Sequence, residues 1–208
     1  MKITNKRRLG FNICLLGQIA SGKDTQAKLL LKKYQLKTIE TGKFSRLLVK
    51  EKSKQGDLFR KTSGKGTAAP TADIQKFLSQ EIKKIPKTKD ILFLGGPRLK
   101  PEAQLLKKIM LQKNQDLLIF YISLPDKEIY RRSFGRKAGT GNALYKMFDT
   151  DHIIAKRIKW HKNQVSKTVD YWEKLGKVRK INGIGSVKQI EDRIQKEISK
   201  YENSRDRN

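Results

Sequence analysis

Residues 11–30 read FNICLLGQIASGKDTQAKLL, and they set the architecture of the chain. Phe11–Leu16 is a mostly apolar run bounded by Gly17, which predicts a buried strand. Asp24–Tyr34 follows with the apolar spacing of a helix. Between the two, residues 17–23 form G-x-x-x-x-G-K, in the strand–turn–helix context that a phosphate-binding loop requires. The chain is therefore expected to bind nucleotide phosphates at this turn.

The residue types of this loop explain the chemistry. Glycines allow consecutive backbone N–H groups to converge on phosphate oxygens, and the start of the helix adds its dipole. Lys23 is expected to reach the β- and γ-phosphates. Asp24 stands where the motif usually has the Ser or Thr that holds Mg²⁺, and Thr25 comes one residue later.

Apolar strands alternate with amphipathic helices along the chain. This pattern predicts an α/β P-loop fold of three layers, with a five-stranded parallel sheet between helices. One domain is expected over 11–201, between a basic arm (1–10) and a disordered tail (202–208). Residues 53–72 are predicted to be irregular and residues 135–148 to form a loop. The expected strands are Phe11–Leu16, Thr38–Glu40, Ile91–Leu94, Leu117–Leu124 and Val178–Ile181; the expected helices are Asp24–Tyr34, Thr41–Lys52, Asp73–Ile85, Pro101–Lys113, Asp126–Phe134, Thr150–Leu175 and Val187–Tyr201.

The charge balance is strongly positive, because 48 Lys and Arg outweigh 20 Asp and Glu to give +28. Such a balance indicates anionic partners and does not select a fold. A lysine-rich solvated surface accounts for the scattered lysines. Specific nucleic-acid recognition lacks its usual zinc-finger or aromatic RNA-binding motifs, whereas non-specific binding to nucleic acid at low salt stays open.

The sequence also bears on location. No segment approaches about 18 consecutive apolar residues, so no transmembrane helix and no membrane partner are expected, and no apolar leader follows Met1. The single cysteine, Cys14, lies in the first predicted strand, where a buried and inert thiol is expected. A reducing, cytoplasmic location is the prediction.

Further segments follow the phosphate-binding loop in a recognisable order. The chain resembles the adenylate kinase family of nucleoside monophosphate kinases in its opening and in these later segments. They are Thr41-Gly42 followed by Arg46, the G-x-x-x-P of Gly66–Pro70, Leu94-Gly95-Gly96-Pro97-Arg98, the R-x-x-x-R of Arg132 and Arg136, Lys156-Arg157-Ile158, and the turn Asn182–Val187 before the last helix.

The resemblance implies an activity and its reactants. It implies reversible transfer of the ATP γ-phosphate to a nucleoside monophosphate, with AMP as the family's acceptor and GMP or another base left open. Mg²⁺ is expected to be held mainly through nucleotide phosphates and water, and no metal site made by protein ligands alone is expected. A monomer is expected, with a monophosphate-binding insert at about 41–72 and a short lid at about 133–149 closing over the substrates.

The resemblance also implies the residues of the site. Catalysis is assigned to Lys23, Arg98, Arg132, Arg136 and Arg157. The ATP site is assigned to Gly17, Ala20, Ser21, Gly22, Lys23, Asp24, Thr25, Arg132, Ser186 and Val187. The monophosphate site is assigned to Thr41, Gly42, Arg46, Ala69, Gly95, Arg98 and Glu102.

These residue types suit phosphoryl transfer. The planar fork of arginine binds phosphate oxygens in pairs. No general base is evident near the motifs, which fits an acceptor that is already anionic, because a hydroxyl acceptor would call for a positioned carboxylate. His152 and His161 have no partner motif and are interpreted as surface or packing residues.

Three departures from the family pattern qualify the resemblance. Leu94 replaces the Asp that orients Mg²⁺ waters in the family, and Asp24 is the candidate to compensate. Glu102 stands where a Gln reads the acceptor's adenine; a carboxylate only accepts hydrogen bonds and suits guanine, unless Gln104 takes over. The lid lacks cysteines, which excludes a zinc-bound lid. Two alternatives stay open: a catalytically impaired nucleotide-binding paralogue, favoured by Leu94, and a nucleic-acid-associated P-loop ATPase, favoured by the net charge of +28.

Overall fold

A central parallel sheet organises the chain. The computed structural model describes residues 6–139 and 150–205, without the side chains of residues 136–139. Within these residues the strands are Asn12–Gly17 (β1), Leu36–Glu40 (β2), Asp90–Leu94 (β3), Leu117–Ser123 (β4) and Val178–Asn182 (β5). All are parallel and lie in the order β2-β3-β1-β4-β5. The predicted five-stranded parallel sheet is confirmed.

Helices connect the strands. The described ones are Lys23–Lys33 (α1), Thr41–Lys50 (α2), Lys54–Lys61 (α3), Thr71–Lys84 (α4), Lys100–Gln112 (α5), Asp126–Gly139 (α6), Asp151–Trp160 (α7), Ser166–Glu173 (α8) and Val187–Arg205 (α9). A 3₁₀ turn covers Ser63–Lys65, and a π-helical turn covers His161–Val165 between α7 and α8.

The three central strands, β3, β1 and β4, are buried on both faces, which explains why they read as nearly continuous apolar runs. Ile13 and Leu15 of β1 pack on one side with α1 and α9. Cys14 and Leu16 alternate to the other side, where α4, α5 and α8 cover the sheet. The predicted three-layer arrangement is confirmed, and Cys14 is fully buried as expected. Burial raises the pKa of the Cys14 thiol far above its usual range.

The strand order brings distant loops together. β3 pairs with β1 in register, with Leu94 opposite Leu15, and β2 pairs with β3, with Glu40 opposite Leu94. The carboxyl ends of these parallel strands therefore meet at one edge of the sheet, where ligands bind in open α/β folds. The loop after β1, the start of α2 and the segment Gly95–Arg98 all leave the sheet at this edge.

One helix lies where the sequence predicted an irregular connection. α3 forms within 53–72 because Ser53 caps it, accepting a hydrogen bond of 3.0 Å from the Gly56 backbone N–H. Phe59 anchors the helix: its side chain is fully buried, and its ring centroid lies 5.9 Å from that of Phe44. The sequence analysis missed this helix because the segment is mostly polar, and one capping serine and one buried phenylalanine are weak signals within it.

Two other boundaries differ from the prediction. The helix expected to start with Asp73 as its N-cap starts at Thr71, and Asp73 lies in its first turn. Residues 135–139, expected to belong to a loop, lie in α6, which continues to Gly139. The rest of the predicted lid, 140–149, lies outside the described residues.

Described residues near both ends of the chain contact the rest of the domain. Arg7 forms an isolated parallel bridge with Tyr34 and an ion pair of 2.6 Å with Glu202. Asp90 accepts hydrogen bonds of 2.9 and 3.0 Å from the backbone N–H groups of Leu9 and Gly10. The last helix continues to Arg205, so the prediction of a disordered tail from residue 202 is wrong for 202–205. None of the described helices combines the length and the apolar character needed to cross a membrane.

Candidate active site

The phosphate-binding loop lies between β1 and α1. Gly22 caps α1 in the left-handed conformation, with φ of 84°, which favours glycine. A Cβ at Gly17 would lie 2.7 Å from the Ile122 carbonyl oxygen, so no side chain fits there. No side chain caps α1, and the N–H groups of its first turn remain for an anion. Ser21 Oγ is buried and finds no hydrogen-bond partner in the described part of the chain.

A cavity of about 330 Å³ opens beside this loop. Its walls come from the ends of β2 and β3, from α2 and from the segments before α4 and within α7. Many of the predicted site residues line it: Ala20, Lys23, Asp24, Thr41, Gly42, Arg46, Ala69, Gly95, Arg98, Glu102 and Arg157. A recess of about 30 Å³ adjoins it and is lined by Gly17, Lys23, Arg98, Arg157 and His161, among others.

Three cationic side chains from different segments converge on two glycines of the cavity wall. A Cβ placed at Gly42 would lie 3.2 Å from an Arg46 guanidinium nitrogen and 3.8 Å from one of Arg98. A Cβ placed at Gly95 would lie 3.5 Å from Arg98 Nη2 and 3.8 Å from Lys23 Cε. The absence of side chains at these positions leaves room for an anion between the cations.

Arg98 is held in place by backbone groups. Its Nε donates a hydrogen bond of 2.5 Å to the Gly95 carbonyl oxygen, which directs the rest of the guanidinium toward the cavity. Burial lowers the pKa of Arg98 and nearby Arg46 lowers it further, while Glu102 and Asp24 oppose the shift. The guanidinium still carries its charge at neutral pH, so the site concentrates positive charge in a confined space.

Comparison with known proteins agrees with this geometry. The family model for adenylate kinase matches residues 15–177. The chain belongs to the adenylate kinase family. It is 30% identical to an adenylate kinase of Methanothrix thermoacetophila, over 92% of this chain and 100% of the relative. It is 29% identical to one of Syntrophobacter fumaroxidans (88% and 97% covered) and 28% identical to one of Bacteroides fragilis (90% and 97% covered).

Membership of the adenylate kinase family confirms the predicted class of enzyme. The protein is a nucleotide-binding phosphotransferase whose acceptor is a phosphate group. The P-loop fold and the charged cavity are what this chemistry needs, because phosphoryl transfer depends chiefly on positioning and on neutralising charge.

Three carboxylates share the cavity with the cations: Asp24, Glu40 and Glu102. Glu102 is 3% exposed, and its Oε2 accepts hydrogen bonds of 2.7 and 3.2 Å from the backbone N–H groups of Arg98 and Leu99. Burial raises the pKa of Glu102, while the two N–H groups and the Arg98 charge oppose that shift. Across residues 6–139 and 150–205, no group of three or more His, Cys, Asp or Glu is arranged to hold a metal ion alone.

Glu40 was missed by the sequence analysis. It ends β2 directly before Thr41-Gly42, and its Cα lies opposite that of Leu94 in the sheet. A carboxylate therefore lies one strand away from the position where Leu94 replaces the family's Asp. Its place at the end of a predicted strand, just before a family motif, was the only signal in the sequence.

His161 lies closer to the cationic cluster than its sequence context suggested. It is buried, as a packing residue would be, and His152 is exposed. The Tyr121 hydroxyl and His161 Nε2 are 2.9 Å apart and share a hydrogen bond. Burial lowers the pKa of His161 to about 3, and the charges of Arg98, Lys23 and Arg157 add to the shift. The sequence signal for this position was the spacing of four residues between Arg157 and His161, which places the two side chains on the same face of a helix.

Other predicted residues lie away from the cavity. Arg132 donates hydrogen bonds of 2.6 Å to Glu128 and 2.9 Å to the Gly183 carbonyl oxygen, which places it at the turn before α9. Ser186 and Val187 begin α9 at the same turn, and the Val187 carbonyl oxygen accepts a hydrogen bond of 2.9 Å from Gln26 of α1. Arg132, Ser186 and Val187 thus lie together at the turn before α9, whereas the predicted ATP-site residues Ala20, Lys23 and Asp24 line the cavity with the monophosphate residues.

Two predicted residues have no role visible here. Thr25 is exposed in the first turn of α1. The side chain of Arg136 lies outside the described residues.

Proposed function

We propose that the protein transfers the γ-phosphate of ATP reversibly to a nucleoside monophosphate. The convergence of Lys23, Arg46 and Arg98 on the two cavity glycines, Gly42 and Gly95, carries the proposal. These groups would neutralise the charges that two phosphorylated substrates bring into one cavity.

In the proposed reaction, Lys23 and the N–H groups of the loop bind the β- and γ-phosphates. Arg46 and Arg98 bind the acceptor phosphate, and Arg157 lies against the transferring group. The bond between the γ-phosphorus and the bridging oxygen breaks, and an oxygen of the acceptor phosphate forms the new bond to that phosphorus. No proton needs to leave the acceptor, so the cavity needs no general base.

The remaining predicted residues complete this proposal. Arg132, Ser186 and Val187 are assigned to the base and ribose side of ATP, because they meet at the turn beside α1. Closure of the 41–72 and 133–149 inserts, a contribution of Arg136, a monomeric state and a cytoplasmic location stay predictions.

The cavity also suits the Mg²⁺ that the family generally uses. Asp24 and Glu40 offer carboxylate oxygens, the ligand type that Mg²⁺ prefers, and both line the cavity beside Lys23. When bound, Mg²⁺ neutralises charge on the β- and γ-phosphates. We propose that these two carboxylates position its coordinated waters, in place of an aspartate at position 94.

The acceptor base is the finer part of the proposal. The family resemblance implies AMP, whereas the carboxylate of Glu102 favours a base with two adjacent N–H donors. A panel of AMP, GMP, CMP, UMP and dTMP with Mg-ATP, followed by a coupled assay of ADP formation, identifies the acceptor directly.

The roles of the cationic residues are tested by Lys23→Ala and Arg98→Ala. Each is expected to lower kcat by a factor of about 10³ while the protein stays folded, because each removes a charge from a confined site. Lys28→Ala is the matched control, because Lys28 is exposed on the same helix as Lys23. Full turnover in either cavity variant would overturn the assigned roles.

The same assays separate the two alternatives. An impaired paralogue binds ATP but turns over none of the five acceptors. A nucleic-acid-associated ATPase hydrolyses ATP without a monophosphate, and RNA or DNA stimulates the hydrolysis in a strongly salt-dependent way.

A further inference from the structure

Three of the hydroxyl side chains that line the cavity present only hydrogen-bond acceptors to it. Ser45, Ser63 and Thr67 line it, and each donates its hydroxyl proton to a backbone carbonyl four or five residues earlier, at 3.0, 3.2 and 3.0 Å. A hydroxyl whose proton is already used offers only lone pairs to a ligand. These side chains therefore favour a ligand that carries N–H donors.

Glu102 adds a fixed carboxylate to this set. The hydrogen bonds that its Oε2 receives from the Arg98 and Leu99 backbones lock the side chain at the start of α5. Oε1 of the same carboxylate takes no part in these two hydrogen bonds. Glu102 lines the cavity in which the acceptor would bind, so this oxygen can accept hydrogen bonds from a ligand there.

The nucleobases differ in what they present to such an oxygen. Adenine and cytosine place one N–H donor beside a ring nitrogen that accepts. Uracil and thymine place one donor between two carbonyl oxygens. Guanine alone places two donors side by side, N1–H and the 2-amino group. An ionised carboxylate attracts both donors of guanine but repels the ring nitrogen of adenine.

We propose that the preferred acceptor is GMP, an inference that rests on the proposed function. Glu102 determines this preference by accepting hydrogen bonds from N1–H and the 2-amino group of guanine. Gln104 cannot substitute for it, because Gln104 is exposed on α5 and does not line the cavity. A site built for these donors rejects a base that lacks them, because the carboxylate oxygen would then face an acceptor atom of that base.

The preference is measured with three purine monophosphates. Steady-state kinetics with saturating Mg-ATP should give kcat/KM in the order GMP, IMP, AMP, with GMP exceeding AMP by a factor of about 10 to 100. IMP keeps N1–H and lacks the 2-amino group, so it should fall between the two. Calorimetric titration of the same monophosphates measures the preference in binding, independently of turnover.

Glu102→Gln tests the residue itself. A glutamine can still accept the Arg98 and Leu99 N–H groups through its oxygen, so the start of α5 is preserved. Its NH₂ would face the base as a donor, which suits adenine. The ratio of GMP to AMP, in kcat/KM and in affinity, should fall by a factor of about 10 or more. Glu81→Gln is the control, because it changes the net charge equally at a partly exposed site on α4, outside the cavity lining.

The outcomes are separable. AMP used or bound as well as GMP by the unmodified protein, or an unchanged ratio in Glu102→Gln, would overturn the assignment of guanine while leaving the kinase activity in place. Turnover of no monophosphate, with calorimetry still favouring GMP, would overturn the proposed activity and support the assignment.

Discussion

His161 offers a test of the electrostatics of the site through protein stability. In the folded protein its pKa is about 3, because the ring is buried and faces Arg98, Lys23 and Arg157. In the unfolded chain its pKa returns to about 6.5. As the pH falls below 6.5, His161 binds a proton in the unfolded chain but stays neutral in the folded protein. The contribution of His161 to the free energy of unfolding is therefore fully present above this pH and decreases as the pH falls.

The size of the effect follows from the two pKa values. Each pKa unit corresponds to about 1.4 kcal/mol. At pH 7 His161 is mostly neutral in both states, whereas at pH 5 it is charged only in the unfolded chain. The free energy of unfolding linked to His161 should therefore be about 2 kcal/mol lower at pH 5 than at pH 7. The Tyr121 hydroxyl hydrogen bond keeps the neutral ring in place over this range.

The assay compares the unmodified protein with His161→Gln. Urea unfolding is followed at pH 5, 6 and 7, and the difference in free energy between the two proteins is taken at each pH. Other groups contribute their own pH dependence, but they contribute it to both proteins and cancel. The advantage of the unmodified protein should shrink by about 2 kcal/mol from pH 7 to pH 5. A constant difference would show that His161 titrates normally in the folded state and that the cations do not surround it as described.

Two further substitutions test contacts away from His161. Asp116→Asn should lower the free energy of unfolding by about 1 to 3 kcal/mol, because Asp116 accepts hydrogen bonds from Tyr201 and two other donors. Asp192→Asn is the control and should change it little, because Asp192 is exposed. Equal urea midpoints for Asp116→Asn and the unmodified protein would contradict the prediction. Gly96→Ala should lower the free energy of unfolding by about 1 to 3 kcal/mol and raise KM for the monophosphate, because the new Cβ would lie 2.6 Å from Thr41 Oγ1. An unchanged Tm and KM would show that Thr41 can move aside.

Much of the fold could be predicted because its signals are local. The apolar run of β1, the glycines after it and the start of α1 fall within a short segment, and each strand buried on two faces stands out as an apolar run. The helix α3 did not stand out, because one serine cap and one buried Phe59 stabilise it in an otherwise polar segment. Its stability comes from a contact with Phe44, which the sequence pattern does not encode.

The site was predictable only in part, for a different reason. Arg46, Arg98 and Arg157 were found by resemblance to family motifs, and the structure brings them to one cavity. Glu40 belongs to no motif, and only the register of β2 against β3 places it beside Leu94. Arg132 was assigned to catalysis, yet it forms hydrogen bonds with Glu128 and with the turn before α9. The sequence motif does not determine these side-chain partners.

The cationic cluster links stability to binding. Arg46 lowers the pKa of Arg98, and Arg98, Lys23 and Arg157 lower that of His161, so each charge is disfavoured by its neighbours. A fold keeps such mutual repulsion only where other interactions support it, and this is characteristic of binding and catalytic sites. An anion bound between these groups replaces repulsion with attraction, which raises both the affinity of the site and the stability of the folded state. Arg46, Arg98 and Arg157, together with Lys23, therefore place positive charge where a phosphate group would bind.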